Sequence, residues 1–91
     1  MSNNLGGEIR PVAGLLRHGR LTTIPRRETR RAQLLDHLRQ TLFESDRSYS
    51  EQEVNQVLLG VHEDYSTLRR SLVEAGLLTR TRDGGSYRRV G

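Results

Sequence analysis

The apolar positions in the second half of the chain recur with two different periods. Val54, Val57, Leu58 and Val61 fall at helical spacing, and Tyr65, Leu68, Leu72 and Ala75 do so again. Each set is the signature of one buried helix face. The period then changes. Leu77–Arg82 and Ser86–Val90 read as strands on either side of Asp83-Gly84-Gly85, residue types that make a hairpin turn. Ser50 stands three residues before Glu53, the spacing at which each side chain covers a free backbone N–H at a helix start. Gly60 lets the chain turn. The second helix is predicted to begin at His62–Asp64 and to stop at Gly76, a residue suited to the left-handed helix stop.

Helix, turn, helix, hairpin is the order of a winged helix-turn-helix. The recognition helix would span Glu63–Ala75 and the wing Leu77–Val90. The expected fold class is therefore mainly α with a small β-hairpin, a winged helix-turn-helix with an N-terminal helix–strand extension.

The first half supplies that extension. Residues 1–10, opening on the polar, glycine-containing Met1–Glu8, are expected to be a disordered tail, and residues 11–91 a single domain. Pro11 suits the first turn of a short helix running to about Arg17, with Val12, Leu15 and Leu16 on one side and Gly19 ending it. Leu21–Ile24, with its β-branched residues, is expected to be a short strand. It would either complete the wing sheet or pair across a two-fold axis in a homodimer. From Pro25 a long helix is predicted to run to Phe43, with Leu34, Leu35, Leu38 and Leu42 on its apolar face. Ser48-Tyr49 would add a small strand beside the wing.

Ninety-one residues make one small domain, and with 33% hydrophobic content its core is thin enough that a dimer would help it. The chain has no cysteine, which excludes disulfides, thiol catalysis and cysteine-ligated metal centres. No apolar run approaches the ~20 residues of a membrane span, and MSNNLGGEIR lacks the apolar segment of a signal peptide. A cytoplasmic protein without a membrane partner is expected. The net charge is +4, and all 15 basic residues are arginine. A genome rich in G and C accounts for the missing lysines. It does not account for the positive excess, which suits a polyanionic partner.

Several stretches together resemble a bacterial family of domains of unknown function. They are GRLTTIP at Gly19–Pro25, EQEVNQVL at Glu51–Leu58, HEDYSTLRRSLVEAGLLTR at His62–Arg80 and SYRR at Ser86–Arg89. The resemblance covers about Leu15 to Val90. It departs at Glu63, where the family usually has proline after the histidine. Such domains occur alone or fused behind arsenical-repressor-type winged helices. The resemblance thus implies a winged-helix fold and a regulatory role.

Three groups of residues are candidates for contact with nucleic acid. Arg26, Arg27, Arg30 and Arg31 crowd the expected start of the long helix, where positive charge opposes the helix macrodipole. Such a local conflict suggests function. The competing reading is a solvated face with Glu28 as a partner. On the second helix, Glu63, Ser66, Thr67, Arg70 and Glu74 lie opposite Leu68 and Leu72, with Arg69 at the margin. Arg70 could grip a guanine edge or a phosphate, and Ser66 and Thr67 a phosphate or base edge. Against this, Arg70 and Glu74 are spaced to pair with each other, and Glu63 and Asp64 put negative charge at the end that would meet phosphates. On the hairpin, strand alternation is expected to put Arg80, Arg82 and Arg88 on one face, with Arg89 beside them. The alternative there is an edge hairpin that uses charge to block aggregation.

His18, His37 and His62 have no metal-ligand spacing. No nucleophile lies near a base, and no glycine loop suits a phosphate. Neither an enzyme nor a cofactor nor a metal is expected. The reading is a transcriptional regulator that binds double-stranded DNA. The alternative is a protein-interaction or dimerisation module on the same scaffold, docking a partner or a second copy through Leu21–Ile24 or the N-terminal helix. RNA is a third option, with few aromatics to stack bases.

Overall fold

Leu34, Leu35 and Leu38, then Val54 and Leu58, then Leu68 and Leu72 are the buried residues of three α-helices. The structure, a computed structural model, describes residues 12–91. The helices are α1 (Glu28–Leu42), α2 (Glu51–Leu59) and α3 (Tyr65–Glu74). Two small antiparallel sheets accompany them. One pairs β1 (Leu16–Arg17) with β2 (Arg20–Leu21). The other is built from β3 (Ser48–Tyr49), β4 (Leu78–Arg80) and β5 (Tyr87–Arg89) in the order β3-β5-β4. Leu21, Phe43, Tyr49, Val61, Leu78 and Tyr87 join the helical residues in one core. Phe43 meets Tyr49 edge-on, with ring centroids 5.2 Å apart.

The helix borders follow the local chemistry. At the start of α2 the Glu53 N–H donates to Ser50 Oγ at 3.0 Å, and the Ser50 N–H donates to Glu53 Oε1 at 2.8 Å. Both halves of the capping box are present. Helix α3 begins at Tyr65, later than His62, because Asp64 takes the capping position and accepts from the Thr67 N–H at 3.4 Å. His62 Nδ1 in turn accepts from the Asp64 N–H at 2.9 Å. Gly76 ends α3 at φ 76°. Its N–H donates to the Val73 carbonyl and that of Leu77 to the Leu72 carbonyl, a Schellman stop.

The N-terminal part departs from the expected helix–strand order. The described chain opens on a 3-10 turn at Val12–Leu15 and passes directly into β1. Pro11 and the expected disordered tail lie outside the described residues. Gly19 ends no helix. It forms, with His18, the two-residue turn between β1 and β2, with φ 53° at His18 and 81° at Gly19. Positive φ at both positions matches the twist of the flanking strands, as in a type I′ hairpin. The expected strand at Leu21–Ile24 is thus moved back, to Arg20–Leu21, and pairs with its own neighbour. Ile24 packs half-buried against the core. The chain stays out of helix through Arg27, whose ψ of 126° makes it the residue preceding α1. Arg26 and Arg27 therefore lie before the helix and do not burden its first turn.

The three-stranded sheet has a definite register. Leu78 faces Arg89, Thr79 faces Arg88 and Arg80 faces Tyr87, while Ser48 faces Arg88 and Tyr49 faces Tyr87. Directly opposed residues project to the same side. Leu78, Tyr87 and Tyr49 are buried, so Arg80 shares the core-side surface at its open end. Arg88 projects to the other side with Thr79 and Ser48. The expected common face of Arg80, Arg82 and Arg88 is not formed. Alternation within one strand says nothing of the register between strands, which the turn length sets. Arg82 lies in the turn beyond β4.

Candidate functional site

Helix α3 buries Leu68 and Leu72 and turns Ser66, Arg70 and Glu74 outward at four-residue intervals, so these three form one ridge. A groove runs along each flank. Toward the hairpin, Arg69, Arg70, Val73, Glu74, Arg80 and Tyr87 enclose a recess of about 310 Å³. Toward α1, a second groove of about 490 Å³ holds Arg31 and Glu28 on one wall and Thr67, Ser71 and Glu74 on the other.

The hairpin recess carries a net positive charge. Arg69, Arg70 and Arg80 contribute three guanidinium groups and Glu74 one carboxylate. Arg69 is half-buried and donates to Asn55 Oδ1 on α2, which fixes its position. Arg70 and Arg80 are exposed, and among the described residues the side chain of neither makes an ion pair or a hydrogen bond. The Arg70–Glu74 pair that the spacing allowed is not formed. Tyr87 makes the floor. It is 1% exposed, and its hydroxyl donates to Glu51 Oε1 at 3.2 Å, tying the hairpin to the start of α2. Guanidinium groups without internal partners, converging on a recess with a fixed floor, can take up an anion such as a phosphate.

The turn beyond β4 is closed from within. Thr81 donates its N–H to the Ser86 carbonyl at 2.9 Å and its hydroxyl to Asp83 Oδ1 at 2.6 Å. The Gly85 N–H donates to the same carboxylate oxygen at 2.9 Å. The Thr81 hydroxyl, and after it the Gly85 N–H, hold the Asp83 carboxyl below its ordinary pKa. Arg82 therefore sits exposed on an ordered turn next to a fixed negative charge.

The remaining candidates are scattered. Arg88 lies on the far side of the sheet, 3.9 Å from Asp46. Arg26 and Arg27 are exposed before α1, and the Arg26 carbonyl accepts from Arg31 Nη1 at 3.4 Å. Arg30 is half-buried and donates to Gln33 at 3.1 Å. It is about 100° round α1 from Arg31, on the side away from the groove that Glu28, Arg31, Ala32 and Leu35 line. Ser66 stands on the α3 ridge, and Thr67 faces α1. The structure thus brings together Arg69, Arg70 and Arg80, with Ser66 on the same ridge. It adds Tyr87 and Glu51, which only the packing of elements could reveal, and puts Arg31 on the groove between α1 and α3. Other arginines are spent on structure: Arg39 donates to the Val90 carbonyl at 2.7 Å and Arg89 to that of Phe43 at 2.9 Å.

Fold and site together define a small basic domain of three helices and two small antiparallel sheets, with an arginine-lined recess between a helix and a hairpin. The chain belongs to the DUF2087 family, described as an uncharacterized protein conserved in bacteria, which matches residues 20–89. That span covers every element from β2 to β5. No curated protein and no solved structure matches the chain. Among the described residues, no helix is long and apolar enough to cross a membrane.

Proposed function

We propose that this protein is a winged-helix transcriptional regulator that binds double-stranded DNA in the bacterial cytoplasm. In this reading α1, β3, α2 and α3 are the helical body, with α3 as the recognition helix, and β4, β5 and their turn are the wing. Two features of the topology support it. A single strand separates α1 from α2, and that strand pairs with the second strand of the hairpin. The sequence also resembles domains that occur fused behind arsenical-repressor-type regulators.

The observation that carries the reading is the convergence of Arg69, Arg70 and Arg80 between α3 and the hairpin. Recognition helix and wing border one duplex in this class of fold, so their shared recess would face a backbone phosphate. Arg70, at the centre of the ridge, is the residue placed to reach a base edge. The test is fluorescence anisotropy with a labelled duplex of random sequence at low salt. Binding is expected, and Arg70→Ala should reduce discrimination between sequences by ~1–3 kcal/mol if the side chain reads a base. A folded sample that binds no duplex at low salt would reject the proposal. It would promote the protein-interaction or dimerisation module, for which Leu59, at 43% exposure, and Val90, at 38%, are the large apolar contacts available among the described residues.

A further inference from the structure

The β1–β2 hairpin is short and basic, with Leu21 in the core and Leu16 packed against it. Its tip reads Arg17-His18-Gly19-Arg20, and all four residues are exposed. A two-residue turn with positive φ at both positions leaves little freedom for the tip to move. The hairpin is rooted on the turn that launches α3. The Leu21 N–H donates to the Val61 carbonyl at 2.8 Å, and Arg20 Nη1 donates to the Leu59 carbonyl at 2.9 Å. The second bond also covers a free carbonyl at the C-terminus of α2, where positive charge is favourable. Arg17 is exposed, and among the described residues its side chain makes no hydrogen bond or ion pair.

The same turn carries Glu63 and Asp64, both exposed. Asp64 is needed there as the cap of α3. Their two negative charges would repel a phosphate backbone at the start of α3. Arg20, tied to the Leu59 carbonyl, and Arg17, directly opposite it in the strand pair, bring positive charge to the hairpin that is rooted on that turn.

We infer that the Leu16–Leu21 hairpin is a second backbone-contact element, which meets phosphates of the duplex beside the start of α3 while the β4–β5 hairpin meets them on the other flank. This rests on the DNA-binding reading above and adds to it a contact that neither the recess nor the wing supplies. Arg17 is the contacting residue. Arg20 is chiefly an anchor, held by the Leu59 carbonyl.

The test compares wild type with Arg17→Ala, Arg17→Glu and His18→Asp on a random-sequence duplex across a salt series. None of the three removes a hydrogen bond of the fold, and aspartate tolerates the positive φ at position 18 better than most residues do. Thermal melts followed by circular dichroism check that each variant is folded. Arg17→Ala should flatten the slope of log affinity against log salt by about 1 and weaken all sequences equally. Arg17→Glu and His18→Asp should weaken binding further at low salt than at high salt. If wild type binds and all three variants keep its affinity and slope, the hairpin inference fails and the DNA-binding reading stands. If wild type binds no duplex, both fail.

Discussion

The register of the β4–β5 hairpin separates two arginines that the sequence alone cannot tell apart. Arg80 opposes Tyr87 and opens onto the recess with Arg69 and Arg70, whereas Arg88 opposes Thr79 and projects away from it. Suppose a duplex seats on the α3 ridge with Arg70 at a base edge and with Arg17, Arg31, Arg69, Arg80 and Arg82 at phosphates. Each phosphate neutralised adds about 0.9 to the salt dependence, so the slope of log affinity against log salt should be about −4.5. Between 50 and 200 mM salt that is a loss of about 500-fold. Arg80→Ala should bring the slope to about −3.6 and the loss to about 150-fold, so the two affinities converge by roughly 3.5-fold across the series. Arg88→Ala should leave the slope at the wild-type value. Neither change threatens the fold: Arg80 is exposed without an internal partner, and the Arg88–Asp46 pair, at 3.9 Å and largely exposed, is worth at most ~1 kcal/mol. The assay is anisotropy with one labelled duplex at five or so salt concentrations. If Arg88→Ala flattens the slope as much as Arg80→Ala, the duplex does not use the recess side of the sheet, and the proposed surface is wrong.

Leu72 is fully buried between α3 and its neighbours, so Leu72→Ala should destabilise the domain by roughly 2–5 kcal/mol in a denaturant titration. A loss below ~1 kcal/mol would place it outside the core. Ser50→Ala removes the acceptor of the Glu53 N–H and should cost about 1 kcal/mol with the fold intact. Unchanged stability would show that the cap is idle in solution. Asp83 has a folded pKa below its unfolded one, so its contribution to stability is present above the unfolded value and is lost as pH falls through the folded value. Thr81→Val removes the leading cause, and an NMR titration should show the Asp83 midpoint move up toward the ordinary aspartate value. A midpoint that stays put would assign the shift to the backbone N–H groups of Gly85 and Asp83.

The second half of the chain was legible because its signals are local. Ser50 and Glu53 sit at the one spacing that makes a reciprocal cap, Gly76 at the one place where α3 can stop with φ 76°, and Ser48-Tyr49 at the edge open for a third strand. The buried leucines and valines of the helix faces read correctly for the same reason: Leu68 and Leu72, or Val54 and Leu58, are one turn apart whatever they pack against, whereas Ala75, expected on the same stripe, ends the helix and is exposed. The N-terminal part was not legible. Pro11 and Pro25 both permit a helix start, and Leu21–Ile24 has strand propensity. What decides the outcome is the positive φ at His18 as well as Gly19, together with a hydrogen bond from Leu21 to Val61, forty residues away in sequence. Histidine carries no strong signal for that conformation. The register of β4 against β5 is hidden in the same way, since it depends on how Thr81 and Asp83 close their turn.

The same distinction explains why the arginines could be nominated but not sorted. Charge type is written in the sequence, but availability is not. Arg39 and Arg89 look no different from Arg70 and Arg80 along the chain, yet the first two hold β5 and the residue after it against α1 through the Val90 and Phe43 carbonyls. Arg69 stands between these classes, anchored by Asn55 and still open to the recess. A carbonyl partner leaves the full positive charge of a guanidinium in place, but it fixes where that charge can go. A carboxylate partner cancels the charge, as Asp46 does in part for Arg88. Uncompensated charge is therefore found where Arg70 and Arg80 meet beside an anchored Arg69. The opposing carboxylates on α3 sit at its ends: Glu63 and Asp64 before its first turn, Glu74 in its last. Asp64 is there for the cap, since the free N–H groups of the first turn need an acceptor whatever the helix binds. On the proposed reading, an anion approaching α3 would accordingly be received at its middle and on the hairpin side, and would meet the start of the helix with the help of the Arg17–Arg20 hairpin tip.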